Sequence, residues 1–137
     1  MLDHITLRVS DYEKSKRFYE VALAPLGYML SEEHHGRSGQ RVAGFCAGNK
    51  RDFWLSETGT QKGGERSCSC YAFGAPSISA VDAFYDAALK AGGADNGAPG
   101  YRPDYHPGYY AAFVLDPDGN NIEAVFDDWA RANEARG

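Results

Sequence analysis

Long apolar runs are missing from this 137-residue chain; nothing approaches the roughly 20 consecutive apolar residues of a membrane-spanning helix. The first residues also lack the positive-then-apolar pattern of a secretory leader. Cysteine is scarce, and the three thiols Cys46, Cys68 and Cys70 are an odd number. Cys68 and Cys70 stand too close on one strand to bridge each other comfortably. Reduced thiols in a cytoplasmic protein are therefore expected. Positive charge is short as well. The net charge of −5, with no Lys/Arg cluster to offset it, speaks against nucleic acid or an anionic membrane as partner. No Walker loop, dinucleotide fingerprint, nucleophile elbow or zinc-finger spacing occurs. What remains is a hydrophobic share of 43% and a charged share of 24%, ordinary for one globular domain with one core.

The most informative feature that is present is a weak copy of the first half, displaced by 66 residues. Phe18-Tyr19 returns as Phe84-Tyr85, Ala22-Leu23 as Ala88-Leu89, Gly27 as Gly93, and Glu20 as Asp86. Two copies are too few for a solenoid, which needs at least about three. They suit a single pseudo-symmetric domain, where a cleft between related halves is a natural ligand site.

Residues 2–9 alternate, with Ile5, Leu7 and Val9 on one face and His4, Thr6 and Arg8 on the other, as in a half-buried strand. Ser10 or Asp11 can cap a following helix striped by Tyr12, Ser15, Phe18, Tyr19 and Ala22, which Pro25 and Gly27 close. Extended runs are expected at 27–35, 39–47 and 51–57, with Asn49-Lys50 as the turn between the last two. The second half repeats the order: a strand at 67–73, a cap at Ser77, a helix face of Ile78, Val81, Tyr85, Ala88 and Leu89, and a stop at Gly92-Gly93. The Gly/Pro-rich stretch 96–108 reads as a long connection and hence as functional. Strands at 109–115 and 121–126 flank the strong turn signal Asp116-Pro117-Asp118-Gly119. Beyond them, 127–136 reads as a short polar helix. The reading is α+β: one domain of two β-α-β-β-β modules, about 1–60 and 66–127, joined by the polar loop 59–66 and followed by a tail at 128–137.

Two such modules, an opening Asp3-His4-Ile5 and a closing Asp116-Pro117-Asp118-Gly119-Asn120-Asn121-Ile122-Glu123 resemble the glyoxalase/bleomycin-resistance/extradiol-dioxygenase superfamily, the vicinal oxygen chelate fold. The resemblance covers essentially the whole chain. It implies pseudo-symmetric sheets curled into an open cup with helices outside, metal ligands on the first and fourth strands of each module, and a homodimer. Fold follows from it better than reaction, since members include isomerases, dioxygenases, thiol transferases and drug-binding proteins.

Carried over residue by residue, the resemblance puts His4 and Glu123 at ligand positions, and Cys70 (His4 plus 66) where many members carry His. Fe, Mn, Ni or Zn would suit such a set. For the fourth position, a gap-free shift gives Glu57, whereas matching the turns Asn49-Lys50 and Asp118-Gly119 gives Trp54. Phe53 and Leu55 form the apolar pair corresponding to Ile122 and Ala124, which favours Trp54 and leaves one ligand missing. His4 and Glu123 could equally pair with each other, and Cys70 could simply fill a core.

The segment Tyr105-His106-Pro107-Gly108-Tyr109-Tyr110 reads as the mouth of the cup, suited to an apolar or aromatic ligand with one polar handle. His106 is a candidate general acid/base, and Arg41 or Arg8 a candidate partner for a carboxylate or phosphate. Surface exposure is the bland alternative for each. At most one of His34 and His35 can enter the cup, because adjacent strand residues face opposite ways. Two functions from different classes follow. One is a metal-assisted lyase, isomerase or dioxygenase acting on a small oxygen-rich substrate, with His106 and Glu123 catalytic. The other is a metal-free cup that sequesters a small aromatic or cationic molecule, to which Trp54, Tyr105, Tyr109 and Tyr110 lend flat faces.

Overall fold

The computed structural model describes residues 1–58 and 69–128. In chain order it contains β1 (Ile5–Val9), α1 (Tyr12–Ala22), a 3-10 turn (Ala24–Leu26), β2 (Tyr28–His35), β3 (Arg41–Ala47) and β4 (Lys50–Glu57). The same order returns as β5 (Cys70–Gly74), α2 (Ile78–Lys90), β6 (Ala94–Tyr101), β7 (Tyr109–Leu115) and β8 (Asn121–Asp127). These are two β-α-β-β-β modules, each with one four-stranded sheet, ordered β1-β4-β3-β2 and β5-β8-β7-β6. The first and fourth strands of each module run parallel, and the other neighbours are antiparallel. No helix among the described residues is long and apolar enough to cross a membrane.

Both helices begin where a side-chain oxygen satisfies a backbone donor. Asp11 accepts from the Lys14 amide at 3.1 Å, and Ser77 from the Ala80 amide at 3.1 Å. The two glycines of the repeat have different jobs. Gly27 ends the 3-10 turn at φ 90°, which a side chain disfavours. A Cβ on Gly93 would instead lie 2.6 Å from Val114 and 2.8 Å from Phe18, so here the helix, the strand and the other module approach too closely for any side chain.

One apolar core serves both modules. It takes Leu7, Val9, Ala43, Phe45, Phe53 and Leu55 from the first sheet and Phe73, Ala112, Val114, Ile122, Ala124 and Phe126 from the second. Between them lie Phe18, Tyr19, Val81 and Phe84 of the two helices. Phe73 stands edge-on to both Phe53 and Tyr28 across the module boundary. The Tyr19 hydroxyl reaches Asp116 in the β7–β8 turn at 2.5 Å, and Ser10 donates to Asp118 in the same turn. The helix-covered faces of the two sheets therefore meet, and the opposite, open faces turn away from each other. That relation positions everything that follows.

Part of the sequence reading needs correction. The stretch 96–108 is not one long connection, because β6 occupies its first half. β6 is an edge strand, so Pro99 costs no ladder bond, and its pairing with β7 shifts at Gly97. The turn between β3 and β4 falls at Gly48-Asn49, one residue earlier than expected, with Gly48 at φ 61°. The joining loop 59–66, Cys68 and the expected helix beyond residue 128 lie outside the described residues.

Candidate functional site

On the open face of the first sheet the central side chain is Trp54. It stands between Thr6 on β1 and Gly44 on β3. The indole lies directly over Gly44: a Cβ there would come within 2.7 Å of the ring. His34, which shares this face of β2, meets the indole edge-on with centroids 5.8 Å apart. A half-buried indole is thus seated on backbone and fixed from one side.

On the open face of the second sheet the corresponding side chain is Glu123, between Ala72 on β5 and Phe113 on β7. It is only 5% exposed. The Tyr109 hydroxyl donates to its carboxylate. Burial pushes the carboxyl above the usual range, against the opposing pulls of that hydrogen bond and of Arg102. The Tyr109 hydroxyl is driven up in turn, by its own burial and by the carboxylate beside it. Around this pair, Tyr105 and His106 stand edge-on to the Tyr109 ring, with centroids 5.0 and 5.2 Å away. His106 Nε2 lies 3.0 Å from Asp127. Arg102 lies over Phe113 and donates to the Ala98 carbonyl.

The pairing settles the register left open by the sequence. Thr6 plus 66 is Ala72, and these are the β-partners of Trp54 and Glu123, so Trp54 is the counterpart of Glu123. Glu57 pairs with Val9 and is held by Arg41 through contacts of 3.1 and 2.8 Å. Arg41 itself stacks on Tyr12 and also binds Glu13. That cluster is separate from Tyr109 and Glu123. Tyr110 also turns away from them, donating to Asp82 of α2 at 2.6 Å, with its own hydroxyl pushed up to about 12.

His4 and Cys70 are both exposed and line a cleft of about 380 Å³ at the seam between the modules, together with Tyr28, Lys50 and Asp52. His4 Nδ1 is 2.7 Å from Asp3. The Cys70 sulfur accepts from the Asn121 side-chain Nδ2 at 3.1 Å. Within one chain these residues do not fit a divalent ion. Trp54 has no lone pair to give, the open faces point apart, and no three His, Cys, Asp or Glu gather among the described residues.

The sequence reading missed the seat of the indole and the pairs around Glu123. Gly44 carried a signal, since glycine inside a strand often marks close approach of another group. His34 against Trp54, Asp127 against His106 and Arg102 over Phe113 are cross-strand or loop pairings with no local signature.

The model of the glyoxalase/bleomycin resistance protein/dioxygenase superfamily matches residues 1–124. Among solved structures, a glyoxalase/bleomycin resistance protein from Albidiferax ferrireducens T118 superposes with a TM-score of 0.67 at 28% identity, over 90% of this chain and 95% of that one. Glyoxalase I from Zea mays gives 0.70 at 25% identity over 96% of this chain, which spans 48% of the maize chain. A glyoxylase/bleomycin resistance protein/dioxygenase domain from Frankia sp. EAN1pec, at 20% identity and a TM-score of 0.71, supports the fold alone. No curated protein sequence matches the chain. With its two modules, its closing turn and its matched strand register, the chain belongs to the glyoxalase/bleomycin resistance protein/dioxygenase superfamily.

Proposed function

We propose that this protein is a small-molecule binder of the cytoplasm whose site is shared between two copies of the chain. The open face of the first module of one copy, with Trp54, would close over the open face of the second module of the other, with Glu123, Tyr109, Tyr105 and His106. The observation that carries this reading is the indole seated on Gly44 at the position equivalent to Glu123. An aromatic plate stands there instead of a ligand atom, and aromatic faces hold flat or cationic molecules without chemistry. Two open faces turned apart in one chain leave a half-site on each, and an isologous pair would complete both. Light scattering at micromolar concentration tests the pairing: a dimer is expected, and a monomer removes the shared site.

A second reading is a metal-dependent lyase, isomerase or dioxygenase, and one contact favours it. Asp3 engages His4 Nδ1, which leaves Nε2 to ligate an ion, as carboxylates do for ligating histidines. Pairing of two copies would bring His4 of one toward Cys70 and Glu123 of the other. A divalent ion held there would act as a Lewis acid on vicinal oxygens. Calorimetric titration of Mn, Ni, Zn and Fe(II) separates the readings. The binding-protein reading expects no stoichiometric uptake; uptake abolished by His4→Ala and by Glu123→Ala supports the metalloenzyme.

A further inference from the structure

We propose that the molecule taken by this site is an organic cation, an ammonium or amidinium group on a flat or aliphatic frame, and that Glu123 is its counter-ion. This deepens the reading of the open faces as a binding site and rests on it.

Glu123 differs from the other glutamates placed on the strands. Glu32, Glu33 and Glu57 each contact a Lys or Arg at 2.8 Å. Those three are at least partly exposed, where an ion pair is optional. Glu123 is the buried one, yet among the described residues no Lys or Arg forms an ion pair with it. Arg102 acts on it through its charge without pairing, because its guanidinium is held on the Phe113 ring and the Ala98 carbonyl. Its hydrogen-bond donor is a neutral phenol. A carboxylate kept out of water without a cation is costly, and glutamine would make the same hydrogen bond without the charge. The charge has a use only if a cation arrives.

The surroundings leave room for one. The neighbours of Glu123 and Val125 along β5 are Ala72 and Gly74, both exposed. These small residues form a low floor beside the carboxylate. Phe113 and Tyr109 stand on its far side; Arg102 already covers Phe113, and the Tyr109 ring is of the kind that attracts a cation through its quadrupole. An anionic ligand would meet both Glu123 and Asp127.

Fluorescence titration at pH 7.5 with two matched probe pairs tests the proposal: 9-aminoacridine against acridine, and 2-naphthylmethylamine against 2-naphthylmethanol. The cation of each pair is expected to bind at least about thirtyfold more tightly than its neutral frame. Glu123→Gln should bring the two within about threefold by weakening the cation alone, leaving the neutral probe unchanged. Equal affinity of cation and neutral frame for the wild-type protein overturns the counter-ion and leaves the binding site standing; that comparison needs no variant to fold. A preference that survives Glu123→Gln also overturns it. Failure of all four probes to bind overturns the binding site itself and the counter-ion with it.

Discussion

In the first module the fourth strand carries Trp54 at its centre, with Thr6 on one side and Gly44 on the other; in the second the same place holds Glu123, with Ala72 and Phe113 beside it. Bulk has changed strands. Where one module sets a large ring over glycine, the other sets a carboxylate beside a large ring. The carboxylates have diverged in the same way. Glu33 and Glu57 of the first module are held below the usual range by hydrogen bonds from Lys16 and Arg41 respectively, whereas burial holds Glu123 above it. The helix-covered faces have changed far less: Phe18 and Phe84 are both fully buried, as are Ala22 and Ala88. Divergence is concentrated on the faces that no longer share a core. Packing constrains the buried side, and the open side is left to specialise.

The sharpest way to break this contrast is to truncate neighbours on opposite faces of β4. Phe53→Ala removes a ring packed against Tyr19, Phe45 and Phe73 and is expected to cost about 3–5 kcal/mol in urea unfolding. Trp54→Ala, one residue on, should cost under about 1.5 kcal/mol, because the half-buried indole lies on an open face. Comparable losses at both positions would mean that Trp54 is core.

The repeated tyrosines give the next contrast. Tyr19 is fully buried and donates to Asp116 across the module boundary, whereas Tyr85 is only partly buried and lies near Asp95 of its own module. Tyr19→Phe should cost about 1–2 kcal/mol and Tyr85→Phe about 0.5 kcal/mol or less. Equal effects would show that the Tyr19–Asp116 link does not tie the modules together.

The smallest expected effect is in the pH dependence. The folded-state pKa of Glu123 is raised, so its contribution is present below the ordinary carboxylate range and is lost as pH rises through the folded value. Glu123→Gln should therefore melt slightly higher than the wild type at pH 7, with the gap closing toward pH 4. Glu57→Gln should do the reverse, melting lower at pH 7 and converging on acidification, because Arg41 lowers the Glu57 pKa. Thermal melts of both variants across that range check the two signs together.

Much of this was legible in the sequence for identifiable reasons. The repeat fixed equivalent helices, alternation fixed which strand residues face the core, and the paired turns put Trp54 rather than Glu57 opposite Glu123. β6 was hidden because an edge strand tolerates Gly97, Pro99 and Gly100, which read locally as loop. The grouping of Tyr105, His106 and Tyr109 was legible because the three sit on one short segment, whereas Tyr110 alternates to the helix side. The relation between the modules was not legible. Nothing local says whether two amphipathic sheets bury their helix-covered faces together or curl around one cup, since both bury the same residues. Tyr19 against Asp116, 97 residues apart, ties the modules together, and such a contact leaves no mark on either segment alone.

The central claim is that Trp54 and Glu123 serve one site from two different copies, and mixed dimers test it most directly. Trp54→Ala and Glu123→Gln homodimers should each bind 9-aminoacridine weakly, because every site then lacks one of the two groups. Unfolding the two variants together and refolding them lets subunits exchange at random. Half of the dimers are then mixed, each with one site carrying both lesions and one carrying neither, so about a quarter of all sites should regain wild-type affinity. Recovery of that fraction is the result expected. No recovery, with mixed dimers demonstrated by native mass spectrometry, would place both residues in sites built within one chain and contradict the shared site.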